Sequence, residues 1–186
     1  MRKKVAVLIS GRGSNLQALI DAEQDAYEIA LVVSNVEDAG GLAIARAADI
    51  PTFALAHKGV ARAAFDDIVD GQLRAHAIEA VALAGYMRIL SSAFVERWTG
   101  RMINIHPSLL PLYKGLHTHE RAIAAGDTQG GCSVHLVTAG LDEGPVLAQA
   151  TVPILPGDTP DTLAARVLVE EHRLYPRALA DLVRAL

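Results

Sequence analysis

The sequence predicts a single α/β domain built on a mostly parallel, twisted sheet. Short apolar runs without polar alternation recur through its first 105 residues, as expected for strands buried on both faces of a parallel sheet. They lie at 5–9, 29–33, 52–55, 78–84 and 102–105. Segments with helical spacing separate them, at 15–22, 39–48, 62–75 and 91–97. This alternation is typical of βαβ units with right-handed crossovers, so we expect helices on both faces of the sheet.

The chain after residue 106 has a different pattern. A short helix is predicted at 117–125, and two strands at 133–137 and 146–154 flank a Gly/Asp turn, which favours an antiparallel pair. Asp158 or Thr159 can cap a last helix that has Pro160 in its first turn and continues towards Leu186. Pro176 is expected to kink or interrupt it. The whole therefore predicts one Rossmann-like domain over 1–186, with an antiparallel strand pair in its C-terminal part.

Composition restricts the class of partner. The 186 residues carry a formal net charge of −4, which argues against non-specific binding to nucleic acid or an anionic membrane. No apolar run approaches the roughly 20 residues that span a bilayer. Cys132 is the only cysteine, so no intramolecular disulfide can form, and a soluble, cytoplasmic protein is expected. The sequence leaves the oligomeric state open, including a homodimer.

A glycine loop, S-G-R-G-S-N, follows the first predicted strand at 10–15. Gly11 and Gly13 permit a tight turn, and the N–H groups at the start of the next helix suit an anion. The loop lacks the third glycine of a dinucleotide fingerprint, because that position is Leu16, and it lacks the Gly-Lys-Ser/Thr of a Walker loop. A phosphate site and a plain strand-to-helix turn both stay open.

Three polar residues form a candidate catalytic group. Asn104 and His106 lie two residues apart on a predicted strand, so their side chains project to the same side at its carboxyl end. Asp142, in a glycine-flanked turn, is the best candidate for a carboxylate that would favour the imidazolium form of His106. Each residue also has an ordinary interpretation: a turn cap, a loop histidine and a turn aspartate.

Other chemically capable residues give weaker signals. His117 and His119 have the H-x-H spacing of zinc ligands, but no H-E-x-x-H motif or cysteine pair accompanies them, so no metal is expected. His135 and His172 are interpreted as packing or surface residues. Cys132 lacks an activating base nearby in sequence, which argues against a nucleophilic role.

Three segments together resemble the folate-dependent formyltransferase family. They are N-I-H-P-S-L-L-P at 104–111, L-D-E-G-P at 141–145 and A-G-Y-M-R-I-L at 84–90. The loop at 10–15, G-L-H-T-H at 115–119 and the stretch 170–176 are similar to the purine-synthesis branch of that family. Its members move a formyl group from 10-formyltetrahydrofolate to the amine of glycinamide ribonucleotide. The chain also has no room for the extra domains of the tRNA-directed and hydrolytic branches.

The resemblance implies roles for individual residues. Asn104, His106 and Asp142 would be the catalytic residues of a direct transfer through a tetrahedral intermediate. The ribonucleotide would be bound by Gly13, Ser14, Asn15 and Glu171. The folate would contact Arg62, Met87, Arg88, Ile89, Leu90, Asn104, Thr138, Ala139, Gly140, Leu141 and Asp142. The implied partners are these two small molecules, with the folate as co-substrate.

Three other functions compete with this interpretation. The same domain can act on another acceptor or hydrolyse the formylfolate. A nucleotide-binding oxidoreductase is opposed by the missing third glycine. A receiver-like module is opposed by the lack of paired acidic residues after the first strand.

Overall fold

The computed structural model describes residues 1–22 and 25–186, which form seven strands and six helices. The strands are β1 (Lys3–Ile9), β2 (Tyr27–Ser34), β3 (Thr52–Ala54), β4 (Ala80–Leu83), β5 (Met102–His106), β6 (Gln129–Leu136) and β7 (Val146–Pro153). The helices are α1 (Ser14–Asp21), α2 (Gly40–Ala47), α3 (Arg62–Ala75), α4 (Ser92–Arg97), α5 (Thr118–Ala124) and α6 (Pro160–Arg184). Every predicted element is present.

All seven strands form one sheet in the order β3-β2-β1-β4-β5-β6-β7. The first five in that order are parallel, and β6 runs antiparallel to both of its neighbours. The chain moves outwards from β1 to β3 and then returns to place β4 on the other side of β1. Connections diverge at such a switch point, which opens a crevice at the carboxyl ends of the strands. The predicted fold class is confirmed.

Each face of the sheet has its own apolar core. Alternate residues of β1 point to opposite faces: Val7 belongs to a buried cluster with Leu19 of α1 and Leu179 of α6, whereas Leu8 belongs to one with Phe65 of α3. Both faces are covered, so the strand carries no polar position between Val5 and Ile9. This burial explains the continuous apolar runs.

Strand β6 begins at Gln129, four residues before the predicted start. The sequence there contains two glycines, which are usually depleted in strands. The glycine is required at position 131, because a Cβ would lie 2.0 Å from the carbonyl oxygen of Ala150 on β7. Two backbones approach too closely there for any side chain, and sequence pattern does not report that approach.

Helix α6 begins after one of its two predicted caps and continues through Pro176. Of the two candidate caps, Thr159 is the one used, in a capping box with Thr162, whereas Asp158 pairs with Arg166 at 2.7 Å. Pro176 does not interrupt the helix, which runs on to Arg184. A proline inside a helix costs about 3 kcal/mol, and Pro176 is buried here together with Tyr175 and Leu179. Within the described ranges, no helix combines the length and apolar content needed to cross a membrane.

Candidate active site

A cavity of about 590 Å³ opens at the carboxyl ends of β4 and β5. This volume is typical of a site for small molecules. The residues that line it include Asn15, Met87, Arg88, Ile89, Leu90, Asn104, His106, Leu116, His135, Thr138, Ala139, Gly140, Leu141, Asp142 and Glu171. The structure therefore brings together most of the sequence-predicted site residues, from segments up to 156 positions apart.

The ring of His106 has a defined orientation at the end of β5. Its Nε2 lies 2.8 Å from the carbonyl oxygen of Tyr113. A carbonyl only accepts hydrogen bonds, so Nε2 carries a proton and donates it to this oxygen. Nδ1 then faces Asp142, with 3.5 Å between Nδ1 and Oδ2. Nδ1 is therefore the ring nitrogen that faces the Asp142 carboxylate.

Asp142 is a buried carboxylate with three polar neighbours. The Gly115 N–H donates to Oδ2 at 2.9 Å, and Nε2 of His135 lies 3.6 Å from Oδ1. Burial alone would raise the pKa of Asp142, but the contacts with His135, Gly115 and the charge of His106 outweigh it, so the pKa lies below its ordinary value. The side chain is consequently an anion at neutral pH, facing both imidazoles.

Asn104 is positioned by a histidine on the neighbouring strand. Asn104 and His135 are cross-strand partners in the β5–β6 register, and Asn104 Nδ2 lies 3.3 Å from His135 Nε2. His135 Nδ1 donates to the Leu136 carbonyl at 2.9 Å, so its Nε2 faces both the Asn104 amide and Asp142. This contact holds the Asn104 amide beside His135 in the cavity lining.

Interpreting His135 as a packing or surface residue missed this contact. The side chain is buried, but it packs into the site and joins Asn104, His106 and Asp142 in what we call the polar wall. The only available signal was indirect. His135 lies on a predicted strand near the candidate turn, and the register that places it opposite Asn104 was not predicted.

The far end of the cavity contains Asn15 and Glu171. Asn15 Nδ2 donates to Glu171 Oε2 at 3.2 Å, while Asn15 Oδ1 is buried and has no hydrogen-bond partner among the described residues. Burial raises the pKa of Glu171 above its ordinary value, and the bond from Asn15 opposes the shift only partly. A ligand with donor groups would satisfy both side chains.

The glycine loop packs against helix α2 at Gly13. This residue precedes α1 with φ at 81°, and a Cβ there would lie 2.6 Å from the Cα of Gly41. Close packing against Gly41 is therefore enough to explain why position 13 is a glycine, as expected for a plain strand-to-helix turn. Gly13 and Ser14 are not among the lining residues of the cavity. The first turn of α1 also has no side-chain cap, which is the arrangement of N–H groups that suits an anion.

Four exposed apolar side chains form a second group in the cavity lining. Met87, Ile89, Leu116 and Leu141 are 64–72% exposed and form what we call the apolar rim. Such a group of large apolar side chains at a cavity mouth is typical of a ligand-binding surface.

Arg88 and Arg62 differ from the other predicted folate residues. The Arg88 guanidinium lies 4.1 Å from the centroid of the Phe65 ring, and its Nε is 3.8 Å from Oδ1 of the buried Asp66. These contacts anchor its side chain against α3, beside the cavity. Arg62 is exposed at the first residue of α3, and the structure does not bring it into the cavity lining.

The remaining reactive side chains are accounted for by their surroundings. His117 is exposed and pairs with Glu120 at 3.6 Å, whereas burial and then the nearby charge of His106 lower the pKa of His119. In the part of the chain that the structure describes, no group of three or more His, Cys, Asp or Glu residues could hold a metal ion. Burial raises the pKa of the Cys132 thiol to about 12, so it is not a thiolate nucleophile at neutral pH.

The fold and the polar wall together define a class of enzyme. An amide N–H, an imidazole and an ionised carboxylate converge at the carboxyl end of a strand in an α/β sheet. This set can stabilise an oxyanion and transfer protons, which are the two requirements of acyl-group transfer.

Comparisons with known proteins identify the class further: the chain belongs to the formyl transferase family, whose profile matches residues 3–179. It is 48% identical to the phosphoribosylglycinamide formyltransferase of Escherichia coli (strain K12), over 95% of this chain and 85% of that protein. The crystal structure of phosphoribosylglycinamide formyltransferase from Brucella melitensis superimposes with a TM-score of 0.93. The two are 50% identical, and the match covers 98% of this chain and 96% of that one.

A longer relative also matches. The trifunctional purine biosynthetic protein adenosine-3 of Drosophila pseudoobscura pseudoobscura is 51% identical over 185 residues. The match covers 96% of this chain but 14% of that protein, so the chain spans a small part of the first curated relatives it matches.

Proposed function

We propose that this protein transfers the formyl group of 10-formyltetrahydrofolate to the amine of glycinamide ribonucleotide, a step of purine biosynthesis. The observation that carries the proposal is the convergence of Asn104, His106 and Asp142 in one cavity, which is also lined by the apolar rim and the Asn15–Glu171 pair. The names and high identity of the full-length bacterial relatives support the choice of substrates.

The ribonucleotide belongs at the Asn15–Glu171 end. Its phosphate would accept from the uncapped N–H groups at the start of α1, next to Gly13 and Ser14. Its ribose hydroxyls would donate to Glu171, while the unpartnered Asn15 Oδ1 offers another acceptor. This placement directs the glycinamide amine towards the polar wall.

The formyl donor belongs between the apolar rim and the turn at 138–142. The flat pterin ring would bury Met87, Ile89 and Leu141, and backbone groups of Arg88, Leu90, Thr138, Ala139 and Gly140 are available to its polar edge. Arg62 would contact the far end of the folate, outside the cavity lining. The reactive nitrogen then lies beside Asn104 and Asp142.

The chemistry follows from the polar wall. The amine nitrogen attacks the formyl carbon and forms a tetrahedral intermediate with a negative oxygen. That oxygen accepts from an amide N–H of Asn104 and from Nδ1–H of His106. The amine then loses a proton, which reaches the folate nitrogen through Asp142 or water as the old C–N bond breaks. No enzyme nucleophile is needed, in keeping with the neutral thiol of Cys132.

Two wider expectations belong to the same proposal. We propose that residues 1–186 act as one catalytic domain, since all seven strands belong to one sheet. We also propose a cytoplasmic location, which the lone buried thiol of Cys132 favours.

The test is an absorbance assay with purified protein, 10-formyltetrahydrofolate and glycinamide ribonucleotide. We expect turnover that requires both substrates and that falls by at least about 100-fold in His106→Ala, the typical effect of losing an oxyanion donor. His76→Ala is the matched control, because His76 lies at the end of α3 outside the cavity lining.

The hydrolase alternative has its own result in this assay. Folate consumption without the ribonucleotide would indicate a hydrolase. Absence of turnover and of binding by both ligands would refute the proposal.

A further inference from the structure

One hydroxyl joins three chain segments at the carboxyl edge of the sheet. Ser10 follows β1, Asn35 follows β2 and Met87 follows β4, and these strands are neighbours in the order β2-β1-β4. The Met87 backbone N–H donates to Ser10 Oγ at 2.7 Å, and Ser10 Oγ donates to Asn35 Oδ1 at 2.5 Å. The serine is the first residue of the glycine loop, and it therefore joins this loop to Met87, the first residue of the apolar rim.

The directions of these hydrogen bonds are fixed by chemistry. A backbone N–H can only donate, so the Ser10 oxygen accepts from Met87, and its single proton is left for Asn35. Asn35 is 2% exposed, and its Nδ2 is 3.2 Å from Nδ1 of His57. The Asn35 carbonyl lies at the same distance from that nitrogen, so His57 has a partner whether or not Nδ1 carries a proton.

The backbone position of Met87 depends strongly on its hydrogen bond to Ser10. Its side chain is 72% exposed, so packing contributes little to its position. The backbone leaves β4 at Leu83 and turns at Gly85, where φ is 70°. The bond to Ser10 is thus a principal contact that fixes where the 87–90 segment begins.

We propose that Ser10 is a positioning residue that couples the two substrate sites. Ser10 is covalently continuous with the loop at 11–15, so a phosphate that orders this loop also orders the acceptor for Met87 N–H. The folate-lining segment then loses less conformational freedom when the donor binds, and the effect is reciprocal. The inference rests on the proposed function, because it takes the two ligands from it.

The experiment measures binding without turnover. Calorimetry gives the dissociation constant of tetrahydrofolate, which has no formyl group to transfer, with and without saturating glycinamide ribonucleotide. In the wild-type protein the ribonucleotide should tighten tetrahydrofolate about 2- to 10-fold, the equivalent of one net hydrogen bond. In Ser10→Ala the ratio should fall to about one, and Ser10→Thr, which keeps the hydroxyl, should restore it.

The controls separate coupling from general damage. Ser92→Ala removes an exposed serine from the start of α4 and should leave the ratio unchanged. A purely structural role for Ser10 would lower the melting temperature of Ser10→Ala and leave the ratio at its wild-type value, which would overturn the proposal. A wild-type ratio of one overturns it as well, even if Ser10→Ala fails to fold.

Failure of this inference is distinct from failure of the proposed function. An uncoupled protein that still transfers formyl groups contradicts only the role of Ser10. A wild-type protein that binds neither ligand contradicts the proposed function itself.

Discussion

The two sides of the cavity differ in how far they are organised before a ligand arrives. In the polar wall, the side chains of His106, His135 and Asp142 are 3–8% exposed, and each has polar partners in place. In the apolar rim, Met87 and its companions are 64–72% exposed and contact little. Folding alone therefore buries the side chains of the polar wall, whereas those of the apolar rim become buried only when a ligand binds.

This difference separates two kinds of contribution. Groups held rigidly at their working positions need no reorganisation during the reaction, so their loss should reduce kcat. Apolar surface that becomes buried only on binding contributes to affinity, so its loss should raise KM. The expected effects below are ordered from the largest to the smallest.

The largest loss of activity is expected for Asp142→Asn, in the polar wall. It keeps the shape but removes the negative charge and the proton acceptor, so kcat should fall on the order of 100- to 10,000-fold. The pKa of Asp142 lies below its ordinary value. The wild-type side chain therefore stays ionised at and above the ordinary pKa, and it is protonated only as the pH falls through the lower value. The defect should therefore persist across about pH 5 to 9. Asp181→Asn, at an exposed position of α6, is the control, and a change confined to KM would contradict the assignment.

Glu171→Gln extends the comparison to the ribonucleotide end. The variant should raise the KM for glycinamide ribonucleotide about 10- to 100-fold, the range for a hydrogen bond to a charged group. It should also be more stable than wild type at neutral pH. The folded-state pKa of Glu171 is raised, so wild-type stability falls as pH rises from the ordinary pKa through the raised one, and glutamine avoids that loss.

The stability half of this prediction has a simple measurement. Melting temperatures of Glu171→Gln and wild type should agree near pH 4 and diverge at about pH 8, by about 2–4 °C per kcal/mol for a chain of this size. A variant less stable than wild type at both values would show that Glu171 is stabilising as an anion.

A smaller effect is expected for His135→Phe, which keeps a ring in the polar wall but removes the ring nitrogen that contacts the Asn104 amide. One amide contact is lost and Asn104 gains rotational freedom, so kcat should fall about 10-fold. Single-turnover measurements at saturating substrate isolate this step. A rise in KM with unchanged kcat would mean that His135 does not position Asn104.

The smallest effect is expected at the apolar rim. Leu141→Ala removes apolar surface that the donor would bury, which should raise the KM for 10-formyltetrahydrofolate about 5-fold and leave kcat within about twofold. Leu155→Ala is matched to it, because Leu155 is also a half-exposed leucine but lies outside the cavity lining. If both variants raised this KM equally, the apolar rim would not be part of the donor site.

The sequence predicts the parallel half of the fold well because burial there is uniform. Val5 to Ile9 are buried on both faces, and such a run has few alternatives to a central strand. The start of β6 is different, since Gly131 reflects the approach of the β7 backbone, which is a tertiary fact.

The candidate site divides in the same way. Asn104 and His106 could be predicted from local geometry, because two residues on one strand share a side. His135 required the β5–β6 register, and the outward position of Arg62 required the orientation of α3. The role of His135, which depends on how distant segments are aligned, was left out by sequence reasoning, and the contact of Arg62 with the folate stays a prediction.

Two main-chain groups, the Tyr113 carbonyl and the Gly115 N–H, hold His106 and Asp142 in place. Their spacing is set by loop length and not by the chemical identity of the residues between them. Lys114, the exposed residue between them, is therefore open to substitution during evolution or engineering. A single-residue insertion there would change the spacing between the Tyr113 carbonyl and the Gly115 N–H. We therefore expect this segment to tolerate substitutions but not changes in length.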